Sequence, residues 1–247
     1  MQRILRYSLL SVILLGSLVT STAQEMPKAD LAAYKVKKLK QSIQIDANWN
    51  KPAWRRVKSV HIKNFMGKTP SFIPVAQAKM MYDKDNLYII YKVNDRFIKI
   101  VTDKINGPVW RDSAVEFFFS PDADEPLKYF NLEVNGGGTP LLAYSGSRDK
   151  RVNEQDIRLI EIAHTLPETV NPEMTEPREW TLECRIPINM LKKHGTVTQP
   201  AKGIEWRGNF YKIAENTSNI HYMTWSVIKN DRPNFHLPEF FGVLKFQ

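Results

Sequence analysis

Two neighbouring stretches, Ala114-Val-Glu-Phe-Phe-Phe-Ser-Pro-Asp122 and Tyr129-Phe-Asn-Leu-Glu-Val-Asn135-Gly-Gly-Gly138, decide how this chain folds. In the first, Val115, Phe117 and Phe119 point one way, with Glu116 and Phe118 the other, and Ser-Pro-Asp then breaks the run. In the second, Phe130, Leu132 and Val134 share a face opposite Tyr129, Asn131, Glu133 and Asn135, and the glycines end it. A period of two bounded by turn residues is the pattern of short strands, each with one face in a core. If the two strands are neighbours in a sheet, Glu116 lies near Asn131, Glu133 and Asn135. Such a group holds both acceptors and donors for hydroxyl groups, although an ordinary solvated sheet face shows the same pattern.

The surrounding chain repeats the theme. Runs over 76–82 and 87–93, split by Asp83-Lys-Asp-Asn86, predict a hairpin. Further strands are expected over 157–163, 180–186, 207–214, 222–227 and 242–246. In the 180–186 run, Trp180, Leu182, Cys184 and Ile186 share a face, which puts the single cysteine in a core as a small apolar side chain. Trp54 and Trp225 are expected to pack. Helical periodicity is confined to a turn or two after Pro187, through Leu191, and fifteen prolines argue against long helices. Many short strands with turns between them, and no internal repeat or interior linker, predict one all-β domain, an antiparallel β-sandwich.

The 247 residues are 43% hydrophobic and 25% charged, which fits a globular domain and excludes a disordered chain or a membrane bundle. One cysteine makes neither an internal disulfide nor a cysteine-based zinc site, and the five histidines form no HExxH pair. Arg3 and Arg6, an apolar run over 8–19 and Thr20-Ser-Thr-Ala23 read as a secretory signal peptide over 1–23, hence an exported protein, periplasmic or secreted. Residues 24–41, with Lys35, Lys37, Lys38 and Lys40, read as a basic, solvated leader, and 42–247 as the domain. The net charge of +9 comes with no nucleic-acid-binding motif and no interior membrane span. A monomer is expected.

At this point the residues resemble a family. Ile45-Asp-Ala-Asn-Trp-Asn-Lys-Pro-Ala-Trp54 looks like the opening of the family 9 carbohydrate-binding modules. Ala78-Lys-Met-Met-Tyr-Asp83, Val109-Trp-Arg-Asp-Ser-Ala-Val-Glu-Phe-Phe118, Phe130-Asn-Leu-Glu-Val-Asn135, Met223-Thr-Trp-Ser226 and Phe235-His-Leu-Pro-Glu-Phe-Phe-Gly242 follow in the family's order. The resemblance implies a DOMON-like β-sandwich, not an enzyme, that holds a sugar between two aromatic planes, usually at the reducing end of a glucan or xylan chain. Trp110 falls on the first sandwiching tryptophan, and Glu116 and Asn135 on polar ligands of the sugar hydroxyls; Asn131 and Glu133 share their face. Two positions depart from the family. Phe235, beside His236, stands where it has its second tryptophan, and Glu133 stands where it has an arginine.

Other chemistries use residues that are also here. A glycoside hydrolase needs two carboxylates, which Asp112, Glu116 and Glu133 could supply. A heme-holding relative would draw on Met80, Met81, His221 and Met223. No cofactor is expected, with structural calcium at Asp122, Asp124 and Glu125 an open option whose spacing is not that of an EF-hand.

Overall fold

The computed structural model describes residues 31–145 and 151–247. The expected signal peptide lies outside them. Fifteen strands follow in chain order: β1 (Ala33–Lys38), β2 (Val60–Ile62), β3 (Asn64–Phe65), β4 (Val75–Tyr82), β5 (Asn86–Asp95), β6 (Ile98–Ile100), β7 (Ala114–Ser120) and β8 (Phe130–Asn135). Then come β9 (Pro140–Tyr144), β10 (Glu161–His164), β11 (Val170–Met174), β12 (Arg178–Pro187), β13 (Glu205–Ala214), β14 (His221–Thr224) and β15 (Gly242–Phe246). Single helical turns occupy Pro52–Arg55, Glu154–Ile157 and Ile188–Leu191, the last where the sequence pointed.

The strands run in the order β10-β12-β5-β4-β1-β15-β13-β7-β8-β9, and the ribbon folds on itself into a sandwich. The fold occurs at β1. Ala33 to Val36 pair with β15, whereas Lys37 and Lys38 pair with Met81 and Tyr82 of β4. Both pairings are parallel, an exception to the antiparallel ladders elsewhere in the main sheet. The domain therefore starts earlier than residue 42. Tyr34 and Val36 are buried while Lys35, Lys37 and Lys38 stay exposed, so the basic stretch is a strand with a lysine face rather than a free leader.

Two half-sheets face each other across one core. Leu87, Ile89, Tyr91 and Val93 of β5 lie beside Ile186, Cys184, Leu182 and Trp180 of β12. Opposite them stand Val115, Phe117 and Phe119 of β7 and Leu132 and Val134 of β8, with Phe210 of β13. Phe117 stacks on Phe119 at 4.7 Å and on Phe210 at 4.8 Å, and Phe119 continues the stack to Phe130 and Trp206. Each such pair adds about 0.5–1.5 kcal/mol beyond the area it buries. The interface leaves a cavity of about 10 Å³ lined by Ile89, Tyr91, Val115, Phe117, Leu132, Val134 and Cys184. That is about one water, too small for a ligand.

The expected strand over 157–163 forms only in its second half: Ile157 ends a helical turn, 158–160 are turn and bend, and the strand is Glu161–His164. Asn153 caps the turn Glu154–Ile157 by accepting from the Asp156 N–H, and extended structure begins only at Glu161. The triple glycine is the β8–β9 turn. Gly138 has φ 88°, and a Cβ on Gly137 would collide with the Glu168 carbonyl, so both positions require glycine.

Candidate functional site

The outer face of β13, β7 and β8 brings the sequence's candidates together. Glu116 on β7 stands directly opposite Glu133 on β8, with Tyr211 of β13 on its other side. One step along, Phe118 lies between Asn131 and Asn209; one step the other way, Ala114 lies between Asn135 and Ile213. Next to this face a second apolar cluster gathers Phe118, Tyr211, Ile213, Phe235 and Phe241, with Trp110, Tyr129 and Tyr222 packed against it half-buried.

Trp110 sits in the short 3-10 turn Val109–Arg111. Two anchors hold that turn on the sheet. The Arg111 carbonyl accepts from the N–H groups of Glu215 and Asn216, at the end of β13. Asp112, fully buried, accepts through Oδ2 from the Thr102 N–H and from Asn135 Nδ2, each at 2.9 Å. The Arg151 guanidinium lies over the Trp110 ring, 6.0 Å from its centroid, and donates to the Asn106 carbonyl.

Two of the expected ligands are engaged within the protein. Asn135 is fully buried; its Nδ2 donates to Thr102 O and Asp112, and its Oδ1 accepts from the Thr139 N–H. It secures the tryptophan turn. Phe235 is 6% exposed and stacks face to face on Tyr211 at 4.1 Å, so one of its faces is covered and it forms a wall instead of a free platform. The exposed ring beside it is His236, tilted 5.0 Å from Phe118 and bonded through Nδ1 to the Tyr129 hydroxyl at 2.8 Å.

The carboxyls form an acidic group. Asn131 donates to Glu133 Oε1 at 2.9 Å, while the buried Oε2 of Glu133 has no partner. Burial pushes Glu133 up to about 7, against the pull of the Asn131 bond and Arg151. Burial, followed by the charges of Glu133 and Glu215, drives Glu116 well above the usual carboxylate range; Lys212 opposes this through the sheet. Glu215 itself accepts from the Tyr222 hydroxyl at 3.1 Å.

The alternation rule singled out Glu116, Asn131, Glu133 and Asn135, and the register brings all four onto one face. Sequence reading missed Tyr211, Glu215, Tyr222 and Arg151. The same rule applied to 207–214 places Asn209, Tyr211 and Ile213 on one face, so Tyr211 was accessible. Arg151 was not, because only the return of the chain past the 3-10 turn brings it to Trp110.

Several residues named for heme or calcium have partners within the protein. Met80 and Met223 lie in the core, and His221 is buried with Nδ1 on Asn219 O and Nε2 on Lys212 Nζ at 2.8 Å. Asp122 Oδ1 accepts from the Asp124 N–H, and Glu125 pairs with Lys128. Among the described residues no group of three or more His, Cys, Asp or Glu is placed to hold a metal ion, and no helix is long and apolar enough to cross a membrane.

Comparison with known proteins bears on the fold and the family. A solved structure from Bacteroides uniformis, a protein to which carbohydrate binding is ascribed, superposes with a TM-score of 0.78 at 26% identity, covering 87% of this chain and 99% of that one. A family 9 carbohydrate-binding module of Caldicellulosiruptor kristjanssonii, solved with cellotriose and with glucose, shares the fold at TM-scores of 0.62 and 0.61 and 16% identity, over 87% of this chain and 94% and 96% of those chains. An extracellular protein of Arthroderma benhamiae is 23% identical over 196 residues, 74% of this chain and 84% of its own length. The model of carbohydrate-binding family 9 matches residues 43–246. With nearly the whole described domain inside that match, the chain belongs to carbohydrate-binding family 9.

Proposed function

We propose that this is an exported, non-catalytic protein that binds a sugar unit of an oligo- or polysaccharide on the outer face of β13, β7 and β8, in support of polysaccharide breakdown. The observation that carries this reading is the half-buried Trp110 ring, held by Asp112 and Asn135 beside carboxyls with unused acceptor capacity. A pyranose presents an apolar C–H face to such a ring and its hydroxyls to groups at the edge, here Glu116, Glu133 and Asn131. Phe235, backed by Tyr211, supplies the apolar wall; Asn135 reaches a hydroxyl only by exchanging one of its present bonds. Relatives solved with cellotriose and glucose favour a glucan, and the extracellular relative favours export. A clamp with few polar contacts corresponds to micromolar to millimolar affinity, about 4 to 8 kcal/mol.

The test is a tryptophan-fluorescence titration of the chain from residue 31 with glucose, cellobiose, xylobiose and their reduced alditols. Saturable quenching by the sugars is expected, and quenching lost with the alditols identifies the reducing end as the part recognised. Trp110→Ala should abolish binding at an unchanged melting temperature. Retained affinity in that variant overturns the site, and release of new reducing ends from oligosaccharides overturns the non-catalytic reading.

A further inference from the structure

The binding face gathers three carboxyls, Glu116, Glu133 and Glu215, and no ion pair among the described residues involves them. Glu116 and Glu133 are cross-strand partners, 2% and 5% exposed, and Glu215 adds a third carboxyl whose field reaches both. Glu133 Oε2 is buried without a hydrogen-bond donor among the described residues. Two cations among the described residues, Lys212 and Arg151, have other partners. Lys212 lies on the inner side of β13, with its Nζ on Asp95 at 3.2 Å, on His221 at 2.8 Å and on the Ile213 carbonyl at 3.0 Å. Arg151 is turned to the Asn106 carbonyl and makes no ion pair with Glu133 among the described contacts. Two neutral donors on the face are in use: the Asn131 amide serves Glu133 Oε1, and the Tyr222 hydroxyl serves Glu215.

Two buried carboxyls that face each other across a strand pair, one with an orphaned acceptor oxygen, constitute a site whose ionised form a cation stabilises more than a neutral hydroxyl does. A carboxylate accepts from an ammonium group more strongly than from a hydroxyl, because the bond is charge-assisted. The half-buried Trp110 ring, packed against the apolar cluster beside the same face, is suited to the apolar face of a pyranose and tolerates an adjacent positive charge. We infer that the sugar recognised here carries an ammonium group, as in a 2-amino-2-deoxy pyranose, and that this group lies between Glu116 and Glu133. The inference rests on the sugar-binding reading above and narrows its ligand class.

Isothermal titration of the chain from residue 31 with glucosamine, glucose and N-acetylglucosamine at pH 6.5 tests it. Glucosamine should bind tenfold or more tighter than glucose, and the N-acetyl sugar, which has lost its charge, should lose that advantage. Repeating the glucosamine titration in buffers of different ionisation enthalpy should show protons released on binding, because the cation converts a protonated carboxyl into its ionised form. Glu133→Gln and Glu116→Gln should each bring the glucosamine-to-glucose ratio toward one. The wild-type proton release keeps the idea testable if either variant fails to fold. Glucose and glucosamine binding equally, without proton release, overturns the inference and leaves the sugar-binding function standing. No binding of any of the three overturns both.

Discussion

Glu133 shows how far one side chain can set the behaviour of the binding face. Its ordinary value is 4.5 and burial moves it to about 7, so the folded state prefers the protonated carboxyl. The stability this contributes is complete below about pH 4.5 and is lost as the pH rises through about 7. His221 runs the opposite way. Burial and then Lys212 hold it down at about 3, so its contribution is complete above about pH 6.5 and is lost as the pH falls toward 3. The two overlap in the wild type, and the variant separates them. Relative to wild type, Glu133→Gln should gain stability as the pH rises from about 4.5 to about 7, by on the order of 3 kcal/mol. Urea unfolding of both proteins across that range measures it; a difference that stays flat with pH contradicts the buried, protonated carboxyl.

Among the elements, β12 does the most to organise the other side of the sandwich. Its Glu183 is fully buried on the outer face, and its carboxylate accepts from the N–H groups of Asp46 and Ala47 at 3.0 and 2.9 Å. It also accepts from Lys51 Nζ at 2.8 Å and from Trp54 Nε1 at 2.7 Å. One residue therefore ties the whole stretch 46–54 to the sheet, and Trp54 is buried as a consequence. The acidic turn and tryptophan that made the sequence recognisable work as a strap across β12. Glu183→Ala leaves the Asp46 and Ala47 N–H groups and the buried Trp54 indole without their acceptor, while Lys51 keeps Asp46 and the Gln44 carbonyl, which should cost about 3–5 kcal/mol. Chemical denaturation reads that loss. Sugar affinity below the melting temperature should not change, because the strap is on the opposite half-sheet from Trp110.

For the molecule as a whole, β1 is the element on which the architecture turns. It is the strand shared by both half-sheets, in parallel with β15 by its first half and with β4 by its second. Burying Tyr34 and Val36 contributes about 1.5–3 kcal/mol for each side chain, before the ladder bonds are added. A chain beginning at residue 42 should therefore melt about 10 °C or more below one beginning at residue 31, or lose its cooperative transition. Differential scanning calorimetry of the two chains decides this. Equal melting temperatures would mean that the half-sheets hold together without β1.

The amino-acid pattern by itself determined the strands around the core. The 76–82 and 87–93 hairpin, the 114–119 and 180–186 runs and the inward face of Cys184 all follow from a period of two between turn residues, which is local chemistry. It also determined which side chains share a face, and so gathered Glu116, Asn131, Glu133 and Asn135 before their register was known. Tertiary structure decided what is not local. The lysines of 33–38 hid a strand, because its alternation is completed only when Tyr34 and Val36 meet two sheets. Asn135 and Phe235 had the residue types of ligands, yet the return of other segments assigned the first to Asp112 and Thr102 and the second to Tyr211. The charge balance of the binding face was settled in the same way, since Lys212 sits one residue from Tyr211 in sequence but on the other side of the strand, paired with Asp95. Alternation along a strand is a property of the backbone; the partner each side chain meets is a property of the packing.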